Sequence, residues 1–342
     1  MSLLRLARRL AGVLSLPFLC AASALAASPP SAQQDSIETM TRALQAVVGV
    51  QVTATEGARS AETLGRHRGG SGVVIGADGL ILTIGYLILE ADSIQVTTHD
   101  NRVIPARPVG YDLATGFGLV RALLPLRGVQ PVALGNASQV ALESPLIAAI
   151  GGEDGGMGLT RLVSARPFSG YWEYHIENAL FTSPPVRNHS GAPLFNPRGE
   201  LLGIGSLFVG NAMGDERQMP GNMFVPVDLL KPVLGELQQT GSTRSSRRPW
   251  LGLSSAETGG RVQIIRVSRE GPAFAAGLAA GDVVLAIDDQ KVSTLEGFYQ
   301  KLWARPDPES EVRLTVMHGS EIRQVTVKTV DRMKIIRRPA GI

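Results

Sequence analysis

The chain has 342 residues, of which 18% are charged and 44% hydrophobic, with 39 glycines and 21 prolines. This composition is typical of a folded, turn-rich protein of two or three domains and excludes a disordered or fibrous chain. Three of the 33 basic residues, Arg5, Arg8 and Arg9, lie near the N-terminus, and the remaining 30 are balanced by 30 acidic residues. The charge therefore gives no support for a nucleic-acid partner.

The N-terminal segment has the three parts of a secretory signal peptide. The three arginines precede a mostly apolar run over residues 10–22, and Ala24-Leu25-Ala26 forms a small-x-small cleavage site. The apolar run is shorter than the roughly 20 residues that span a bilayer, and Pro17 interrupts it. We therefore predict a cleaved signal peptide over 1–26, a periplasmic protein and no membrane span after cleavage. The alternative is an uncleaved segment that anchors the protein in the inner membrane.

The single cysteine, Cys20, lies inside this signal peptide. The mature chain is thus expected to have no thiol, which excludes disulfides, thiolate metal sites and a cysteine nucleophile. An exported chain without cysteine fits a bacterial periplasm. None of the five histidines shows the spacing of metal ligands, so we predict neither a metal nor any other cofactor.

Short strands are predicted from residue 37 to residue 240. Residues 27–36 are rich in Pro, Ser and Gln and are predicted to be a flexible lead-in. Beyond them, apolar runs of about four to eight residues recur between turn-forming residues, a spacing typical of an all-β barrel or sandwich. The runs are 47–54, 72–75, 80–84, 93–98, 118–122, 145–150, 179–182 and 201–208. This length suits a pair of six-stranded barrels, and helical spacing predicts a short closing helix over 226–239.

The pattern changes after residues 241–248, which contain no large apolar side chain and are predicted to form a solvated interdomain linker. Residues 249–331 mix helical and strand patterns, which indicates a second, α+β domain of about 80 residues. Strands are predicted over 262–267, 283–287, 311–317 and 322–327, and helices over 271–278 and 294–303. Residues 332–342 are predicted to be a frayed tail.

Three segments of the first region resemble the HtrA/DegP family of trypsin-like serine proteases. Residues 71–88 resemble the family segment with the catalytic histidine, and residues 110–121 resemble the segment with the catalytic aspartate. His-Ser-Gly-Ala-Pro-Leu-Phe-Asn at 189–196 resembles the nucleophile loop, and residues 249–330 are similar to the family's PDZ domain. The resemblance implies a mostly β protein: a chymotrypsin-like double β-barrel followed by an α+β PDZ domain.

The catalytic residues of that family are only partly present. The resemblance places the nucleophile at Ser190, but Tyr86 stands at the histidine position and Gly116 at the aspartate position. Asn188 replaces the glycine whose backbone lets an amide point at the oxyanion. A serine hydroxyl is a weak nucleophile until a base takes its proton, and a phenol with a pKa near 10 is almost wholly protonated at neutral pH. The sequence therefore predicts a pseudoprotease.

Two other functions stay open at this stage. The protein could be an active serine endopeptidase that uses Ser190 with a non-standard base, for which His67, His175 and His189 are candidates. The sequence favours an ordinary loop or surface role for each of these histidines. The third hypothesis is a non-catalytic scaffold. Asp112 is predicted to shape its own turn rather than to replace the missing acid.

The resemblance also implies that the second domain binds peptides. PDZ domains add an extended peptide to a sheet edge, and a loop of backbone amides holds its terminal carboxylate. The resemblance assigns that loop to Leu251, Gly252 and Leu253, and the wall of the side-chain pocket to Phe298 and Leu302. Since positions 295, 298, 299 and 302 recur at helical spacing, they are equally explained as a helix's core face. The expected partners are unfolded or C-terminal segments of other proteins in envelope quality control, within a homo-trimer or a mixed HtrA-type oligomer.

Overall fold

The computed structural model describes residues 32–153, 155–214 and 217–336. The predicted signal peptide, the start of the lead-in and residues 337–342 lie outside the described residues. Within the described ranges, no helix combines the length and apolar character that crossing a bilayer requires.

The first barrel consists of six antiparallel strands. They follow the order β1-β2-β3-β6-β5-β4, and β4 pairs back with β1 to close the barrel. On β1, Val48, Val50 and Val52 are at most 4% exposed, as expected for alternate residues facing a barrel interior. The strands are β1 (Val47–Ala54), β2 (His67–Val74), β3 (Leu80–Ile84), β4 (Ala91–Thr97), β5 (Val103–Tyr111) and β6 (Phe117–Ala122).

The second barrel repeats this design in the order β10-β11-β12-β9-β8-β7, closed by pairing of β10 with β7. One hydrophobic core runs through both barrels, so they pack as one unit. The strands are β7 (Pro145–Ile150), β8 (Gly156–Gly170), β9 (Tyr174–Ser183), β10 (Pro193–Phe195), β11 (Leu201–Val209) and β12 (Gly221–Pro226). The accompanying helices are α1 (Ala32–Gln45), α2 (Ala61–Leu64), α3 (Gly85–Ile88) and α4 (Leu234–Thr240).

The mostly β double-barrel prediction is confirmed, but the lead-in prediction is wrong from Ala32 onward, where α1 begins. Met40, Ala43 and Leu44 pack this helix against the barrel core, and that burial stabilises a segment of polar composition. The predicted closing helix is split into a 3₁₀ turn (Val227–Leu229) and α4.

The second domain is built on an antiparallel sheet in the order β14-β15-β16-β18-β19, with β17 paired to β16. Its helix α6 packs Phe298 and Leu302, both fully buried, into a separate core. The strands are β13 (Pro249–Trp250), β14 (Leu253–Thr258), β15 (Arg261–Val267), β16 (Val283–Ile287), β17 (Gln290–Lys291), β18 (Glu311–His318), β19 (Glu321–Lys328) and β20 (Val330–Asp331). The helices are α5 (Pro272–Ala275), α6 (Leu295–Trp303) and α7 (Arg332–Ile335). Because α7 begins the predicted tail, that segment is not wholly frayed.

The segment between the domains is packed against the first barrel, which corrects the prediction of a solvated linker. The hydroxyls of Thr243 and Ser246 each donate a 2.6 Å hydrogen bond to Oδ1 of Asp112. All three residues are buried. The Arg248 guanidinium lies 4.1 Å from the centre of the Trp303 ring on α6. The small hydroxyl side chains of this segment favour a solvated linker when the sequence is considered alone. The sequence does not show that they bind a buried carboxylate.

Candidate functional site

Ser190 lies in the turn that precedes β10, between the two barrels. Its carbonyl accepts a 2.8 Å hydrogen bond from the amide of Ser71 on β2. Gly191 follows at φ +74°, and a Cβ there would overlap the carbonyl oxygen of Ser71. The close approach of the two barrels thus requires glycine after the serine. The turn holds the half-buried Ser190 side chain in the inter-barrel cleft.

Tyr86 reaches the same cleft from α3, directly after β3. The buried Arg68 guanidinium fixes α3 by donating to the carbonyls of Tyr86 (3.0 Å) and Leu89 (2.7 Å). The Tyr86 Oη lies 2.7 Å from Ser190 Oγ and 2.9 Å from the carbonyl oxygen of Ser206. The structure therefore brings together Ser190 and Tyr86, the residues predicted to stand at the nucleophile and histidine positions.

The hydrogen bonds of Tyr86 make it a poor base. A phenol carries one proton and a carbonyl only accepts, so both contacts are satisfied when Tyr86 donates to Ser206 and Ser190 donates to the phenol oxygen. Burial raises the pKa of Tyr86 to about 12, although its hydrogen bond with Ser190 opposes the shift. At neutral pH the serine proton thus faces a neutral oxygen that does not take it.

Gly116, predicted to stand at the aspartate position, has little room beside it for a carboxylate side chain. Gly116 adopts φ +83°, and its carbonyl accepts a 2.7 Å hydrogen bond from Gly85. A Cβ at Gly116 would lie 3.2 Å from the Oη of Tyr174, which itself donates to the carbonyl of Thr115 at 2.5 Å. The Tyr174 hydroxyl therefore fills the space beside residue 116.

Asp112 does not replace the acid. Its Oδ2 accepts hydrogen bonds from the amide (3.2 Å) and the hydroxyl (2.5 Å) of Thr115, and its Oδ1 accepts from the linker hydroxyls. The carboxylate is thus committed to the turn and the linker.

None of the candidate histidines within the described residues hydrogen-bonds the Ser190 hydroxyl. His67 Nδ1 lies 3.3 Å from the hydroxyl of Thr53. His175 Nδ1 lies 2.9 Å from the hydroxyl of Ser169. Burial lowers the pKa of His189, but its position beside Ser190 in sequence produces no hydrogen bond to it. The cleft therefore lacks an imidazole at the nucleophile.

Asn188, predicted to stand at the oxyanion position, has a left-handed backbone with φ +52°. Asparagine enters this region more readily than most residues that carry a Cβ. The turn before Ser190 therefore keeps a conformation that favours glycine while presenting an amide side chain.

The predicted carboxylate-binding loop of the second domain already holds a carboxylate. The amides of Leu251, Gly252 and Leu253 donate to the side chain of Glu173 at 3.1, 2.8 and 2.9 Å. Glu173 lies in the three-residue turn between β8 and β9 of the second barrel and is 6% exposed. Burial raises the pKa of its carboxyl, while the three amides and Arg332 act in the opposite direction.

Sequence reasoning missed Glu173. An acidic residue in the run Tyr-Trp-Glu-Tyr is an ordinary hairpin feature, and nothing in the local pattern connects it with a loop about 80 residues later. Phe298 and Leu302, predicted to form the pocket wall or the core face of their helix, are fully buried in the domain core with Leu295 and Tyr299. The Tyr299 hydroxyl also reaches the Glu173 turn.

One group of side chains has the composition of a metal site. His175, Glu177 and Glu296 offer ligand atoms that all lie within 4.8 Å of one another. Glu296 comes from α6 of the second domain, so the sequence spacing of the histidines does not reveal this group. The prediction that the protein has no metal remains a prediction.

Two closed six-stranded barrels, with a serine turn between them, define the trypsin-like peptidase fold. Consistent with this, residues 70–204 match the model of the trypsin-like peptidase domain, and residues 249–329 match that of the PDZ domain. A solved structure of the HtrA-type protease AlgW with a tripeptide superposes with a TM-score of 0.53 at 21% identity, covering 91% of this chain and 99% of that one. At this identity the likeness concerns the fold.

Relatives in sequence share both domains. A protein of Halomonas elongata described as a probable periplasmic serine endoprotease DegP-like is 29% identical over 279 residues, or 77% of this chain. The match spans 56% of that protein's own length. The serine endoprotease DegS of Haemophilus influenzae is 28% identical over 269 residues, covering 75% of this chain and 76% of that protein. The chain is HtrA-like: it combines a trypsin-like peptidase domain with a PDZ domain, and its relatives include DegP-like and DegS serine endoproteases.

Proposed function

We propose that this protein is a non-catalytic member of the HtrA family that binds polypeptides through its PDZ domain. The observation that carries the proposal is the hydrogen bond between Tyr86 Oη and Ser190 Oγ, 2.7 Å, where an active relative would have an imidazole. Loss of the base alone lowers kcat by on the order of a millionfold in a subtilisin. The missing acid at Gly116 removes the group that would orient and charge-stabilise an imidazole.

The binding half of the proposal is supported by the PDZ loop, whose donors are intact. Three successive amides converge on one carboxylate, the geometry by which such loops hold a peptide's terminal carboxylate. Unlike the cleft, this site needs no proton transfer. It therefore keeps every group that its chemistry requires.

The catalytic half is tested with a fluorophosphonate probe and unfolded casein. The chain without residues 1–26 is incubated with each, beside the Ser190→Ala variant and an active HtrA-family protease. We expect labelling and casein cleavage to be indistinguishable from those of Ser190→Ala, because no group deprotonates the serine. Anisotropy of fluorescent unfolded casein in the same samples is expected to show saturable binding.

The outcomes separate the three functions. Labelling of Ser190 together with cleavage that Ser190→Ala abolishes would show an active endopeptidase with an unusual base. Absence of both cleavage and casein binding would favour the scaffold. Binding without cleavage supports the proposal.

The proposed location is the bacterial periplasm, and the proposed role is protein quality control in the cell envelope. The support is the signal-peptide pattern at residues 1–26 and the absence of cysteine from the rest of the chain. A homo-trimer, or a mixed oligomer with an active relative, stays a prediction from the family resemblance.

A further inference from the structure

The peptide groove of the PDZ domain is occupied by the chain's own second barrel. The occupant is the turn Tyr171–Glu173 between β8 and β9, which we call the internal ligand. Its carboxylate is a side chain, that of Glu173, rather than a chain terminus. Its contacts with the PDZ domain involve the carboxylate loop, the first residues of β14 and helix α6.

We propose that the internal ligand closes the PDZ groove, so that a polypeptide with a free C-terminal carboxylate binds only by displacing Glu173 from the amides of Leu251–Leu253. This inference rests on the proposed peptide-binding function and adds its regulation.

The first support is the way in which the carboxylate is held. Glu173 accepts three backbone hydrogen bonds of 2.8–3.1 Å. No described ion pair involves Glu173, and the positive charge that attracts it is Arg332. A buried carboxylate is costly unless hydrogen bonds replace its water, and successive amides of this kind form an anion-binding nest. The loop therefore selects a carboxylate, from whichever chain supplies it.

The second support is the backbone register. The amide of Ser255 on β14 donates a 2.8 Å hydrogen bond to the carbonyl of Tyr171, two residues before Glu173. An extended ligand added to the edge of a sheet makes this kind of bond. The internal ligand thus matches a bound peptide both at its carboxylate and at the adjoining strand edge.

The third support is a clamp from α6. The Tyr299 hydroxyl donates to the carbonyl of Gly170 at 2.8 Å and accepts from the amide of Glu173 at 3.2 Å. These two contacts hold both ends of the turn. Glu173 itself has φ +58°, a left-handed conformation that an ordinary residue keeps only when its surroundings impose it.

An internal ligand competes strongly because it is attached to the same chain. Attachment gives a ligand an effective concentration in the millimolar range for short, well-matched connections. The apparent affinity for an outside peptide is the intrinsic affinity multiplied by the fraction of open grooves. Removing the Glu173 carboxylate should therefore tighten peptide binding without adding any contact to the peptide.

The test compares the wild-type mature chain with Glu173→Ala, Glu173→Gln and the control Glu153→Ala. Glu153 is an exposed acid in the turn between β7 and β8, at the opposite end of β8 from the internal ligand. The probe is a fluorescent decapeptide pool with three randomised C-terminal residues and a free carboxylate, and the same pool with a C-terminal amide is the control. We expect Glu173→Ala and Glu173→Gln to lower the apparent Kd for the free-acid pool at least about tenfold, with no change for Glu153→Ala or the amidated pool.

A second readout needs no added peptide. Hydrogen–deuterium exchange of residues 250–254 in the full mature chain should be slow in wild type and in Glu153→Ala. It should accelerate at least about tenfold in both Glu173 variants, because the amides lose their acceptor. Circular dichroism identifies any variant that fails to fold, and the near-isosteric Glu173→Gln guards against that outcome.

The two proposals fail in different ways. Equal peptide affinity in wild type and both Glu173 variants would overturn the closed groove while leaving peptide binding intact. If no variant binds peptide but exchange at residues 250–254 accelerates as expected, the internal ligand stands and the peptide-binding function falls. Unchanged exchange in the folded Glu173 variants would overturn the internal ligand.

Discussion

The inter-barrel cleft and the PDZ groove have both kept their scaffold, yet they differ in what fills them. In the cleft, the phenol of Tyr86 lies against the Ser190 hydroxyl, and residue 116 is a glycine. In the groove, the amides of residues 251–253 hold the carboxylate of Glu173 from the same chain. Under the proposed function, the cleft lacks its base and its acid, whereas the groove keeps its donors and is occupied.

The difference follows from what each site requires. Catalysis by a serine depends on specific side chains, so single substitutions remove it. Carboxylate capture uses the main chain, which substitutions leave in place as long as the loop keeps its shape. Gly252 at φ +82° maintains that shape. Under the two proposals, a competing ligand reverses the occupancy of the groove, whereas no ligand supplies the base that the cleft lacks.

The strongest test of the comparison is to rebuild the cleft. Tyr86→His alone is expected to raise fluorophosphonate labelling of Ser190 by less than about a hundredfold, because a neutral imidazole without an acid is not held in the productive tautomer. The variant Tyr86→His/Gly116→Asp/Tyr174→Phe is expected to label on the order of a thousandfold faster than Tyr86→His, since the acid of a triad contributes about 10⁴ in kcat. Rates of probe labelling measure both.

Tyr174→Phe is included because the Tyr174 hydroxyl lies 3.2 Å from the position of a Cβ at residue 116. The matched control is Tyr86→His/Gly116→Asp with Tyr174 retained, which should label more slowly than the triple variant. If Tyr86→His alone is labelled as fast as the triple variant, the lack of an acid at residue 116 does not limit the labelling rate of Ser190. If no variant is labelled faster than wild type, the turn that carries Asn188 and Ser190 does not itself support reaction of the serine.

A second test asks whether hydrogen bonds to Asp112 stabilise the packing of the two regions against each other. This carboxylate is 1% exposed and binds both the turn that carries Gly116 and the linker that leads to the PDZ domain. Asp112→Asn is expected to lower the free energy of unfolding by about 2–4 kcal/mol, because donors to a buried charge are left poorly paired. Urea denaturation measures the loss.

The control for this prediction is Asp92→Asn on β4, whose side chain is exposed and which should change stability by less than about 0.5 kcal/mol. If Asp112→Asn has the wild-type denaturation midpoint, the linker contacts of Asp112 add little to the free energy of unfolding. This carboxylate would then not couple the cleft to the groove.

The smallest expected effect concerns pH. Burial raises the pKa of Tyr86 to about 12, so the phenolate fraction is only about 0.1% at pH 9 and ten times smaller with each unit below it. Because Tyr86 does not act as a base, the difference in Ser190 labelling between wild type and Tyr86→Phe should stay flat from pH 6 to pH 9. A difference that rises about tenfold per pH unit would identify the phenolate as the unusual base and contradict the inactive cleft.

Much of the fold was predictable because it depends on local patterns. The predicted runs 47–54, 80–84, 145–150 and 283–287 coincide with strands of the structure. They were predictable because a strand shows in its own sequence as alternating apolar and polar residues, or as a short continuous apolar run. Helix α1 and the long strand β8 were less visible. The first is polar in composition, and the second carries many exposed residues, so their stability comes from packing that the sequence does not display.

The sequence by itself determined the double-barrel and PDZ architecture and predicted the substitutions at residues 86, 116 and 188, because each is recorded in short contiguous segments. Only the tertiary structure decided where side chains distant in sequence meet: the phenol of Tyr86 on the hydroxyl of Ser190, the carboxylate of Asp112 on the linker, and Glu173 in the loop at residues 251–253. The physical reason is that hydrogen bonds depend on distances of about 3 Å in space, and the partners here lie from 78 to 134 positions apart along the chain.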